Sequence, residues 1–445
     1  MRIALVDSQS SSPRPRDAAG PSQRVTSLAK ALGRLGHQVT LYTPDGSPAY
    51  TPDGSPALTA RATLAPGVTV EHLPAGPGAP EGSRRRPPGD ETGLDIPAFS
   101  DHLARRWQQD RPDVAHAHFW TSGLAALAGA RGLNLPVVQT FHSLGALHAA
   151  APRRPANVAR RPASPARASR RAGAAGRERD NGNQVARIRL EVCLARNASA
   201  VLATSSEQMT KLAGLGVPRA SIRVVPWGVD TGRFVPEGPV AKRSGRPRLL
   251  AVRQSADEQG LDTVIRSLAE IPEAELLIAG GPSGSGPANQ DLARLARDLD
   301  VAGRITFTGD VSRTHLPALL RSADLLLSGE WEDPSGTVAL QAMACGTPVA
   351  ASAAGAVGDA VIDGTTGFLV PPGQPSVLAR RIRRLFASPM QLEAFSIAAV
   401  DRARSRYSWD RIGRETVQAY ERCLPHQFPV TDEPEAGDAD SSQEG

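Results

Sequence analysis

Residues 329–352 read GEWEDPSGTVALQAMACGTPVAAS, and the reading of this stretch decides the fold. Glu330, Glu332 and Asp333 form an acidic cluster that leads through Pro334-Ser335-Gly336 into the apolar run Val338 to Ala344. A break at Cys345-Gly346-Thr347-Pro348 follows, and then a β-type segment from Pro348 to Ala351. The pattern is a loop, a short helix whose N-terminus faces the acidic loop, a glycine stop and a buried strand. Free N–H groups and the positive end of the helix dipole suit such an N-terminus to phosphate. Ser335, Gly336 and Thr337 stand at that helix start, and Gln341 lies one turn further on.

Working upstream, a run of strand and helix patterns begins at Arg248–Val252. It continues as helix 262–270, strand 275–279, a Gly-rich loop 280–287, helix 289–299, strand 304–308, helix 314–321 and strand 324–327. The N-terminal half repeats the theme. Ile3 to Val6 is apolar, Val25, Leu28, Ala29, Leu32 and Leu35 recur at helical spacing, Gly36 stops the helix, and Val39 to Tyr42 makes a second strand. This βαβ unit seeds a doubly wound sheet, so the expected class is α/β with two Rossmann-like domains facing a central cleft. Val235 to Pro247, rich in Pro, Gly and basic residues, is the expected linker. The domains are drawn at 1–235 and 246–405, with a helix over 406–425 returning to the N-terminal domain and an acidic tail at 426–445. Asp113 to His118 reads as a strand, and in a strand His116 and His118 share one side. They lie, with His142, at C-terminal strand ends, where open α/β sheets bind ligands.

A chain of 445 residues with 40% hydrophobic but only 4% aromatic content packs on aliphatic side chains and divides into two domains. Cys193, Cys345 and Cys423 are far apart and match no metal-ligand spacing, so a reducing compartment and no metal site are expected. The apolar start, Ile3 to Val6, ends at Asp7 and is too short for a secretory signal; the uncharged span 334–358 is too rich in Ala, Gly, Ser, Thr and Pro for a membrane helix. The chain is therefore expected to be cytoplasmic. Residues 42–49 and 50–57 both read YTPDGSPA, turn material without chemistry. Residues 150–182 are Ala, Pro and Arg, a low-complexity insertion unable to bury a core.

The chain resembles the retaining GT-B glycosyltransferases of family four, of the actinobacterial group 1 type. The N-terminal half carries the resemblance in Gly36–Tyr42, in PDVAHAHFWTSG (112–123) and in Val225–Asp230. The C-terminal half carries it in Leu277–Pro282, Leu316–Asp324, Ala342–Val349 and Asp363–Pro372. The resemblance implies a C-terminal domain that holds a nucleotide-diphosphate sugar as co-substrate, with no cofactor and no bound metal required. It implies an N-terminal domain that presents a sugar, sugar-phosphate or lipid-linked acceptor, with peripheral membrane contact allowed. It places His118 and Asp333 at the catalytic centre, Gly20, His116 and His142 on the acceptor side, and Gln254, Gln259, Asp333, Ser335, Gly336, Thr337 and Gln341 around the donor.

Several of these positions depart from the family pattern. An Arg and a Lys that grip the diphosphate become Gln254 and Gln259, a glutamate pair becomes Asp333 and Gln341, and a Gly-Gly becomes Gly20-Pro21. Gln exchanges a charge-assisted hydrogen bond for a neutral one. Arg253, adjacent to Gln254, points to the opposite side if the strand continues. Cys345 reads as a packed small residue rather than a nucleophile, having no base nearby in sequence. Three readings remain open: a glycosyltransferase; a weakened paralogue that binds a sugar nucleotide or partner protein; and, last, nucleic-acid contact through the Arg-rich insert.

Overall fold

Strand β1 (Arg2–Asp7) is exposed only at Arg2 and buried from Ile3 onward, as a strand covered on both faces must be. The computed structural model describes residues 1–8, 21–45, 60–74, 94–150, 184–253, 260–281, 289–328 and 335–424. After β1 come α1 (Pro21–Arg34), β2 (Gln38–Asp45), β3 (Ala60–Ala65), β4 (Val68–Pro74), α2 (Ile96–Gln109), β5 (Val114–His118), α3 (Phe119–Gly129), β6 (Val137–Thr140) and α4 (Gly145–Ala150). A helix over 184–197, here α5, precedes β7 (Ala200–Ala203), α6 (Ser206–Gly214) and β8 (Ile222–Val224). The eight strands form one sheet in the order β3-β4-β2-β1-β5-β6-β7-β8.

The second half repeats the plan with β9 (Arg248–Val252), α7 (Leu261–Ala269), β10 (Glu275–Ala279), α8 (Gln290–Asp298), β11 (Ile305–Gly309), α9 (Leu316–Arg321) and β12 (Leu325–Ser328). It closes with α10 (Thr337–Ala344), β13 (Val349–Ser352), α11 (Gly355–Ala360), β14 (Gly367–Val370) and α12 (Pro375–Phe386). Its six strands run β11-β10-β9-β12-β13-β14 and pair in parallel. Two α/β sheets, each wound in both directions from its first strand, make a doubly wound pair.

Not every element follows the sequence reading. Residues 60–74 form a hairpin turning at Pro66-Gly67, with β4 parallel to β2 and β3 antiparallel at the edge. Gly67 sits at φ +73, a backbone state that disfavours any side chain. The first copy of the repeated octapeptide is not all turn, because its opening residues Tyr42 to Asp45 extend β2. Helix α3 starts at Phe119, five residues earlier than the apolar spacing indicates, because strand β5 passes into it without a loop. The remainder of the repeat, the 150–182 insertion beyond α4 and the tail after 424 lie outside the described residues.

The chain crosses between the halves twice, and the crossings are bound together. The Val229 N–H donates to the Tyr407 carbonyl at 2.7 Å, and Val229 bridges Ser408 in parallel. Ser408 separates α13 (Pro389–Tyr407) from α14 (Trp409–Glu421), the helix that the sequence reading drew over 406–425. A Cβ on Gly228 would lie 2.5 Å from the Trp409 indole, so only glycine lets the crossings approach this closely. Helix α14 then packs on α1, burying Trp409, Ile412, Ala419 and Tyr420 among Val25, Leu28 and Leu32 of the N-terminal core. The linker after β8 leans on the C-terminal half: Arg321 donates to the Pro239 and Val235 carbonyls.

Tyr420 ends this return on a polar contact, its hydroxyl 2.6 Å from His116 Nδ1 in a fully buried site. Removing one partner of a buried hydrogen bond costs the desolvation of the other. Tyr420→Phe is expected to lower unfolding stability by ~1–3 kcal/mol in urea titration with an unchanged m value; an unaltered midpoint would show the contact to be energetically idle.

Candidate active site

Three histidines meet at the C-terminal ends of β5 and β6. His116 Nε2 is 2.8 Å from Thr140 Oγ1, and its Nδ1 is held by Tyr420, so both ring nitrogens are engaged inside the core. The acceptor-side expectation for His116 therefore meets a residue that braces the wall behind the cleft. His118 ends β5, and its Nδ1 lies 3.2 Å from His142 Nε2. The chain turns abruptly there. Phe119 has φ +70, a left-handed conformation rare outside glycine, and its ring stacks on His142 with centroids 3.8 Å apart. Gln139 Nε2 donates to the Phe119 carbonyl, and the Ser8 N–H donates to Ser122 Oγ, fastening the first turn of α3 to β1.

His118 and His142 are buried, and His118 Nε2 and His142 Nδ1 have no hydrogen-bond partner among the described residues. Both rings are held neutral. Burial lowers His118 to about 3; burial first, then the positive charge His118 and Arg24 would present, lowers His142 well below the usual imidazole value. One ring must donate to the other across the 3.2 Å contact. Whichever tautomer pair is present, the two outer nitrogens then offer one donor and one acceptor. That is the complement of a hydroxyl group.

Trp227 closes this wall: its ring centroid is 4.8 Å from that of His142, and its Nε1 also has no partner among the described residues. Arg24, on the first turns of α1, places its Cζ 5.7 Å from the Trp227 ring centroid. Arg24 Nη2 then donates to Ser335 Oγ across the cleft at 2.8 Å. Ser335 Oγ also takes the Thr337 N–H at 3.3 Å and the Thr337 hydroxyl at 2.9 Å. Gly336, at φ +59, is the N-cap of α10, so Ser335, Gly336 and Thr337 come together at the helix start. Gln341 lies one turn on, its Oε1 buried without a partner among the described residues. At the cleft rim Gly355 N–H donates to Glu207 at 2.6 Å and Ser206 N–H donates to Asp359 at 2.6 Å, a reciprocal capping of α11 and α6.

Arg253 turns to the Gly280-Gly281 bend, where its Nη1 donates to Asn289 Oδ1 at 2.7 Å and its Cζ lies 3.0 Å from a Cβ placed on Gly281. Burial pushes the Cys345 thiol up to about 12, which leaves it a packing residue. Gly20, Gln254, Gln259 and Asp333 lie outside the described residues. Arg24 and Trp227 are the site residues that sequence reasoning missed. Trp227 stands inside the Pro226–Asp230 segment that carried the resemblance, whereas Arg24 had no signal beyond its place just after Gly20.

Comparison with known proteins agrees over both halves. Residues 237–402 match the family Glycosyl transferases group 1, and residues 18–233 match Glycosyltransferase Family 4. D-inositol 3-phosphate glycosyltransferase 2 of Catenulispora acidiphila is 30% identical over 95% of each chain. The D-inositol 3-phosphate glycosyltransferase of Actinosynnema mirum is 31% identical over 94% of this chain and 96% of its own. Among solved structures, sucrose-phosphate synthase of Thermosynechococcus elongatus superposes with a TM-score of 0.71 at 23% identity, over 95% of this chain and 98% of that one. HepE of Anabaena, solved with UDP and glucose, superposes with a TM-score of 0.63 at 18% identity over 95% of this chain and 100% of that one. No helix among the described residues is long and apolar enough to cross a membrane.

The neutral histidines give a pH signature. His116 too is lowered well below its usual value, by burial and then by His118. Unfolded imidazoles bind protons below about pH 6.5 while the folded ones do not. Stability is thus fully present above that pH and falls as pH drops toward the folded values. Urea titrations between pH 8 and pH 5 should show a plateau to about pH 6.5 and then a decline of up to ~4 kcal/mol per pH unit while all three titrate. A flat profile through pH 5 would contradict buried neutral rings.

Proposed function

The chain belongs to the glycosyl transferases group 1 family, and on that footing we propose that it transfers a glycosyl residue from a nucleotide-diphosphate sugar to a sugar, sugar-phosphate or lipid-linked acceptor with retained configuration. One observation carries this reading: the α10 N-terminus meets the Arg24, Trp227, His142 and His118 wall across the cleft. The N–H groups of Gly336 and Thr337 and the Ser335 hydroxyl suit a diphosphate, bound without a metal. Gln341 Oε1, without a partner among the described residues, suits a ribose hydroxyl, and the outer nitrogens of His118 and His142 suit a sugar hydroxyl. Asp333 keeps the carboxylate that the family places near the transferred sugar.

In the transfer the electron pair of the anomeric carbon–oxygen bond leaves with the nucleoside diphosphate. The acceptor hydroxyl oxygen bonds to that carbon on the same face, and its proton ends on the departing diphosphate. Arg187 Nη2 donates to Ser143 Oγ at 3.0 Å, one residue from His142, while its Nε is paired with the buried Glu191 at 2.9 Å, so this pair orders the acceptor side without adding net charge to it. The relatives act, by their names, on D-inositol 3-phosphate, so that compound is the first acceptor to try. Three free cysteines fit a cytoplasmic setting.

Calorimetric titration with UDP, GDP and ADP sugars, followed by a transfer assay with inositol 3-phosphate and sugar phosphates, tests the proposal. Donor binding with transfer or slow donor hydrolysis is expected. Binding without any turnover would favour the weakened paralogue, and no binding of any donor at millimolar concentration would exclude the catalytic reading. The double change Gln254→Arg with Gln259→Lys is expected to tighten donor binding roughly tenfold or more; unchanged affinity would mean those positions do not face the diphosphate.

A further inference from the structure

Two buried glutamines flank the histidine pair, and each holds a main-chain carbonyl next to one of the rings. Gln139, on β6, donates its Nε2 to the Phe119 carbonyl at 3.1 Å and to the Thr140 carbonyl at 2.8 Å. Gln208, on α6, donates its Nε2 to the Phe141 carbonyl at 3.0 Å and takes the Thr204 N–H on its Oε1 at 2.9 Å. Phe119 follows His118 and Phe141 precedes His142, so the two amides fix the backbone that carries both rings. Local cost is concentrated at the first of them. Phe119 keeps φ +70, where glycine would stand without strain. Gln139 Oε1 is buried without a partner among the described residues. Helix α3 carries Gly123, and a Cβ there would collide with that same oxygen. A strained backbone, an orphaned buried oxygen and a helical glycine are each unfavourable alone, and all three converge on the turn from His118 into α3. That turn delivers the Phe119 ring onto His142, with an interplanar angle of 18°.

We propose that Gln139 and Gln208 are positioning residues for the transfer: through Phe119 and Phe141 they hold the His118–His142 contact in the geometry that presents its outer nitrogens to a sugar hydroxyl. The inference rests on the reading of that pair given above and adds residues that act through other side chains. The pair needs such support, because the 3.2 Å contact between the rings is the one hydrogen bond that either makes among the described residues. His116, by contrast, is held at both ring nitrogens, by Tyr420 and by Thr140. Neutral amides suit the task, since a charged group in the same place would shift the protonation of the buried imidazoles. If either ring turns away, the 3.2 Å contact is lost, and with it the matched donor and acceptor.

The test replaces each amide by an apolar side chain of similar length, Gln139→Met and Gln208→Met, in the full chain labelled with nitrogen-15 at histidine. Imidazole nitrogen spectra near neutral pH distinguish a ring fixed in one tautomer from one that averages two. Wild type is expected to show fixed tautomers at His116, His118 and His142. In each variant the His118 and His142 signals are expected to move to averaged values while His116 keeps its own. With a nucleotide sugar that wild type turns over, kcat is expected to fall by ~10² while KM for the donor changes less than about threefold. Unchanged His118 and His142 signals in a variant would overturn the role of that glutamine. Averaging that reaches His116 equally would overturn it too, as the mark of general loosening. Should a methionine variant unfold, Gln139→Asn or Gln208→Asn, which withdraws the amide by one methylene, decides by the same spectra. A wild type that turns over no donor would overturn the transfer reading, and the spectra would still decide whether the glutamines hold the rings.

Discussion

The Val229 N–H bond to the Tyr407 carbonyl fixes where the two halves of the chain can stand. Two α/β sheets joined by one linker would be free to swing. Here the outward and returning segments are paired side by side, and Gly228 lets Trp409 press against the outward one. The pairing makes a short axis instead of a loose tether. What lies at the cleft depends on it, because Trp227 is one residue before Gly228 and faces the histidines. The same segment therefore sets the relation of the halves and supplies a wall of the site.

Much of the fold was legible because its strands are covered on both faces and read as short apolar runs. Ile3 to Val6, Val39 to Tyr42, Leu249 to Val252 and Val349 to Ala351 all lie where the pattern put them. The edge hairpin of β3 and β4 was not legible, since half-exposed strands with Arg61, Thr63 and Thr69 carry a mixed signal. Strand alternation correctly put His116 and His118 on one side, yet it carries no information about what covers that side. Tyr420 reaches His116 from 304 residues away and engages one of its ring nitrogens, while its neighbour two residues on, equally buried, meets His142 instead. Arg24 was invisible for the same reason: its partner Ser335 is 311 residues distant.

The histidines and the helix start illustrate two ways of presenting polarity in a dry cleft. Neutral imidazoles coupled to one another offer a fixed donor–acceptor pair without the cost of a buried charge. A helix N-terminus offers partial positive charge built into the backbone, already oriented before any ligand arrives. Neither requires a full charge to be desolvated in the empty protein. Arg24 is the exception, and it is only half-buried, resting on an aromatic face that partly replaces water.

The departures at Gln254, Gln259, Asp333 and Gln341 read differently once this arrangement is seen. A donor site with both cations on the C-terminal half can hold its diphosphate in an open cleft. Glutamine at such positions exchanges charge-assisted contacts for neutral ones. Contacts across the cleft form only where the halves approach, as they do where Glu207 and Asp359 cap each other's helices at the rim. Binding energy is then expressed on closure, when water is excluded and each charge contact is strengthened.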